Sequence, residues 1–146
     1  MKKILTIIFV LGFYLVSFSQ DNRDKIKTLK IAFITEKLNL TEKEAQAFWP
    51  VYNSFEEEYM RLRRQSYEKR KNIDFQNITD KDAEALLNEI RVIEKKKYTL
   101  KENYMNDLLK VISPKKIILL NKVEDDFKHK IFEEFKNRRG MRNAKD

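Results

Sequence analysis

The residues best equipped for chemistry lie in one strip, Tyr59, Met60, Arg63, Arg64, Tyr67, Arg70 and Lys71. Their spacing of three and four puts them along one side of a helix. Guanidinium groups among aromatic rings bind by stacking, apolar contact and charge, and require no defined sequence in the partner. Met60 adds a flexible, polarisable contact. A solvated basic helix face is the plainer reading of the same residues. Covalent and metal chemistry find less support. His129 is the single histidine, and Asp125, Asp126 or Glu133 would have to complete a metal site around it. One imidazole without thiolates makes a poor structural zinc site, so no metal and no cofactor are expected. The chain has no glycine-rich nucleophile elbow, no phosphate loop and no histidine paired with a nucleophile, so it does not read as an enzyme.

Helices must position that strip, because little else is available. Glycine occurs only at 12 and 140 and proline only at 50 and 114, which leaves few residues for tight hairpins. Cysteine is absent, which removes disulfides and thiolate ligands together. A first helix is predicted from about Asp24 to Leu38, with Ile26, Leu29 and Phe33 on one side and Ile34 beside them. Asn39, Leu40 and Thr41 then turn the chain. Thr41 and Glu44 form a capping box that opens a second helix, along which Phe48, Tyr52, Phe55, Tyr59 and Leu62 make an apolar stripe. Such a stripe is core. Pro50 predicts a kink or short break near residues 46–50.

A loop is predicted over Ile73–Ile78, with Thr79 and Asp82 capping a third helix. Its inward face carries Ala83, Leu86, Leu87, Ile90, Ile93, Leu100, Tyr104, Leu108 and Val111. Lys97 interrupts that face, and its methylene stem can cover apolar surface. Ser113 and Pro114 start a fourth helix bearing Ile117, Leu120, Phe127, Ile131 and Phe135, which Gly140 should stop. The triplets Asn39-Leu40-Thr41 and Asn77-Ile78-Thr79 fit a glycosylation sequon, yet both end on a helix cap and turn chemistry explains them.

The first residues set the compartment. Lys2 and Lys3 precede an apolar run from Ile4 to Val16, and Ser17-Phe18-Ser19 supplies small residues for a cut near Ser19–Gln20. A spanning helix needs about 20 apolar residues, more than this run offers. Residues 1–19 therefore read as a cleaved signal peptide, residues 20–138 as one helical domain, and 139–146 as a basic flexible tail. Removing 19 residues from 146 leaves 127, and loss of Lys2 and Lys3 lowers the formal charge from +8 to +6. A basic protein outside the cytoplasm points away from nucleic acid and toward acidic or unfolded proteins, anionic headgroups or envelope polymers.

Two segments echo one another: Leu40-Thr41-Glu42-Lys43-Glu44 and Ile112-Ser113-Pro114-Lys115-Lys116. With the signal peptide and the helical layout, they resemble the LTxxQ motif of the Spy/CpxP family of bacterial envelope-stress proteins. Glu44 and Lys116 stand where that motif has glutamine, and Gln46 lies close to the first. The chain is also similar to small exported sensors of extracytoplasmic-function sigma factors, which carry a segment like Phe48-Trp49-Pro50. The resemblance implies an all-α, four-helix extended hairpin or cradle that forms an antiparallel homodimer. It further implies ATP-independent, chaperone-like binding of unfolded or misfolded envelope proteins in the periplasm. The alternative is a periplasmic sensor that regulates a sigma factor or kinase through a membrane-bound sensor or anti-sigma protein.

Overall fold

A computed structural model describes residues 24–71 and 73–143, with side chains as far as 137. The signal peptide expected over 1–19 lies outside the described residues, as does the end of the tail. The described residues form four helices joined by turns, α1 (24–37), α2 (Glu42–Lys71), α3 (Asp80–Leu109) and α4 (Pro114–Asn143), with no strand among them. None of these helices is long and apolar enough to cross a membrane. The chain divides into two compact units. One is Thr41–Ile118; the other joins the residues up to Leu40 with those from Leu119 onward.

In the second of these units, Ile34 of α1 and Leu38 just after it are buried. Its end is closed by Asn39 at φ 46°, with Asn39 N–H donating to Glu36 O and Leu40 N–H to Thr35 O. That is a Schellman arrangement, and asparagine tolerates the left-handed conformation it needs. From the other end of the chain, Leu120, Val123 and Phe127 are buried, and the Phe127 ring lies 5.6 Å from that of Phe33.

In the unit Thr41–Ile118, α2 and α3 pack side by side. They run antiparallel: Lys69 Nζ meets Glu89 Oε2 at 2.8 Å near the turn, while Phe55 stacks on Tyr104 toward the far end. The turn is built on Asp74, whose carboxylate accepts from Gln76 N–H and Asn77 Nδ2. Thr79 then caps α3, its hydroxyl accepting from Asp82 N–H at 3.2 Å and donating to the Asp82 carboxylate at 2.6 Å.

Rings occupy the seam. Phe48, Tyr52 and Leu62 are buried, Phe55 and Tyr59 half-buried, and the Phe55 and Tyr104 rings lie 3.9 Å apart and nearly parallel. Offset and tilted ring pairs add to what their buried area contributes. A groove of about 350 Å3 opens beside this stack between Val51 and Ser54 of α2 and Leu100 and Asn103 of α3.

Several expectations are corrected. α2 is unbroken through Pro50: one backbone hydrogen bond is lost there, but Phe48 and Tyr52 are buried on either side and hold the helix in place. Gly140 does not stop α4, which runs on to Asn143; a lone helical glycine costs only about 1 kcal/mol relative to alanine. Leu29, Leu87 and Phe135 are exposed rather than inward. At about 100° per residue, Leu29 stands roughly 140° from Ile34 and Leu87 roughly 120° from Ile93, beyond the width of a buried stripe. Phe135 stands roughly 80° from Phe127 on the same count. Val123 of α4 is buried although the apolar pattern omitted it.

Candidate binding surface

The seven residues of the strip divide between two sides of α2. Counting about 100° per residue from Met60, the residues Arg64, Tyr67 and Lys71 fall with it inside roughly 60°. All four are exposed, Met60 by 49% and Tyr67 by 56%. They form one continuous basic and apolar stripe over three turns. Tyr59 stands about 100° away, on the side that also carries Tyr52 and Leu62. Its ring stacks on Phe55 at 5.5 Å. Arg63 lies between these two directions and is exposed.

Arg70 is committed elsewhere. Its Nε donates to Ser66 O at 3.1 Å and a terminal nitrogen donates to Ser66 Oγ at 3.3 Å. Ser66 is buried, so this arginine satisfies a serine that would otherwise be a polar group in the seam.

α3 adds what the strip lacked. Lys97 Nζ stands 6.0 Å and Lys101 Nζ 5.2 Å from the centre of the Tyr59 ring. Lys97 is also bonded to Glu94 at 2.7 Å, and its side chain is only 15% exposed. The expectation that its stem covers apolar surface fits this placement. Lys97 and Lys101 were missed as surface-forming residues. Their signal was the break in the apolar stripe at Lys97, followed four residues later by a second lysine.

Some of the described cations are paired with carboxylates and others are not. Arg61 is held by Glu58 at 2.6 Å, Lys69 by Glu89, Lys110 by Asp107, Lys122 by Asp126 and Lys128 by Asp125. Among the described residues, Arg63, Arg64, Lys71 and Lys101 have no carboxylate oxygen within 4.0 Å. Glu58 is drawn below the usual carboxylate range by its hydrogen bond to Arg61.

The two echoing segments meet. Thr41 N–H donates to Glu44 Oε2 at 2.8 Å and Glu44 N–H to Thr41 Oγ1 at 3.2 Å, completing the capping box. The same Oε2 accepts Lys116 Nζ at 2.7 Å, across 72 residues of sequence. Ser113 Oγ accepts the Lys116 N–H at 3.4 Å, a long bond, and Ile112 is buried just before it. Lys116 first, and the Thr41 N–H after it, hold the Glu44 carboxyl below its ordinary value. Leu40 is half-buried at the close of α1.

Around His129, Asp125 is turned to Lys128 Nζ at 2.9 Å, which lowers its carboxyl. Among the described residues no group of three or more His, Asp or Glu side chains is arranged to hold a metal ion. Compared with protein-family models, with curated proteins and with solved structures, the chain finds no match.

Proposed function

We propose that this protein is an exported, periplasmic envelope-stress protein that holds unfolded or misfolded proteins without ATP. The observation that carries the reading is the exposed stripe Met60, Arg64, Tyr67 and Lys71, whose two cations have no carboxylate oxygen within 4.0 Å among the described residues. Apolar contact and unneutralised charge on one rigid helix suit partners that share no sequence. Release would follow the client's own folding, which withdraws the apolar surface being held. The test is whether the purified protein, at near-stoichiometric ratio, slows the aggregation of several unfolded substrates; no protection of any of them removes the reading.

The same proposal includes a homodimer. On α3, Leu87, Tyr98, Met105 and Leu109 are exposed and fall within about 40° of one another. These exposed apolar side chains on one side of α3, with Arg91 and Glu94 among them, are suited to a second copy. Sedimentation at micromolar concentration tests it.

The second reading is a sensor acting through one acidic membrane-bound protein. Arg63 and Arg64, exposed and without carboxylate partners, favour it to the same degree as they favour a client surface. Crosslinking in living cells separates the two: many clients, or a single membrane protein.

A further inference from the structure

The arrangement around Tyr59 says which unfolded segments would be held. The Tyr59 ring, half-buried on α2, lies under two ammonium groups of α3, those of Lys97 and Lys101. Arg63 follows one turn later on α2 and is exposed. The carboxylates nearby are already engaged: Glu94 with Lys97, Glu58 with Arg61, and Glu102 with the Tyr98 hydroxyl at 3.0 Å. Glu56 is engaged as well.

An aromatic face only partly offsets an ammonium charge, whereas a carboxylate forms a shorter, charge-assisted hydrogen bond with it. Arg63 and Lys101 therefore keep most of their capacity for an anion, beside an aromatic surface that accepts an apolar side chain. We propose that this edge of the α2–α3 pair selects unfolded polypeptide segments in which aspartate or glutamate stands next to an aromatic or aliphatic residue. The proposal rests on the holding function above and adds Lys97 and Lys101 to its surface. The apolar residue would lie against Tyr59 and its neighbours, and the carboxylate would take Lys101 or Arg63. Lys97, bound to Glu94, would act through its stem and its position over the ring.

Three labelled disordered peptides of equal length test this by fluorescence anisotropy with the purified protein. They share their aromatic and aliphatic residues and differ only in carrying glutamate, glutamine or lysine beside them. The glutamate peptide should bind at least ten-fold tighter than the glutamine peptide, with the lysine peptide weakest. The preference should shrink toward 1 M salt, where screening shortens from about 8 Å to about 3 Å. The exposed double substitution R63E/K101E should invert the order, and R63Q/K101Q should flatten it. Should the variants fail to fold, the order of the three peptides on the unaltered protein still decides. Equal binding of all three, with substrates still kept soluble, overturns acid selection and leaves the holding function standing. Binding to none, with substrates aggregating, overturns both. Uptake of anionic phosphatidylglycerol vesicles with no peptide bound also overturns the proposal.

Discussion

Glu44 and Lys116 join the start of α2 to the first turn of α4 through a 2.7 Å ion pair, and the Glu44 oxygen that makes it also accepts the Thr41 N–H. One carboxylate thus caps a helix and ties together two segments 72 residues apart. Both side chains are about three-quarters shielded from solvent, at 23% and 22% exposure, so the pair is less screened than a surface one. Reversing either charge, E44K or K116E, should lower the melting temperature by thermal circular dichroism. The exchanged pair E44K/K116E should recover part of the loss, short of the whole, because lysine at 44 cannot accept the Thr41 N–H. No recovery in the exchanged protein would show that the two charges are not coupled.

Acid should destabilise the protein through the same group. Glu44 titrates lower in the folded chain than in the unfolded one, so its contribution is complete above the ordinary glutamate value. It is lost as pH falls from that value through the lowered one. Glu58, Asp74 and Asp125 are lowered too and add in the same sense. Stability measured by urea titration should be insensitive to this group near neutral pH and fall in acid. E44Q should show a shallower fall; an unchanged acid slope would exclude Glu44 as a contributor.

Core and surface positions on the same helices should respond differently. Phe48→Ala should cost about 3–5 kcal/mol and Leu62→Ala about 2–5 kcal/mol, since both side chains are buried. Leu29→Ala should stay within about 0.5 kcal/mol, although Leu29 looked equally inward from its spacing. Chemical denaturation of the three variants checks this ordering.

The caps offer a smaller, local effect. Thr79→Ala removes the acceptor for Asp82 N–H and should cost about 1 kcal/mol, while Thr79→Ser should be near neutral. Thr41→Ala should cost a similar amount. Amide exchange near residues 79–83 should rise in Thr79→Ala and leave the end of α4 unaffected.

Local signals were the most legible in the sequence. The pairs Thr41/Glu44 and Thr79/Asp82, and Pro114 after Ser113, placed three helix starts because capping depends on neighbours three residues apart. Stripe edges were less legible: helical periodicity marks a direction, and whether Leu29 or Leu87 is covered depends on where a neighbouring helix lies. The candidate surface was half visible. Spacing gathered Met60, Arg64, Tyr67 and Lys71, yet it could not show that Arg70 turns back to Ser66 or that α3 lays two lysines on Tyr59. The pairing of Glu44 with Lys116 was foreshadowed only by opposite charges at the two echoed positions.

If the exposed stripe of α2 holds unfolded chains, removing its side chains should remove the protection. Light scattering from an unfolded substrate, mixed at equal concentration with the protein or with its M60S/R64S/Y67S/K71S variant, tests it most directly. All four residues are exposed, so the variant should retain its helicity. The protein should delay scattering several-fold, and the folded variant should not. Equal protection by both would contradict holding by the stripe.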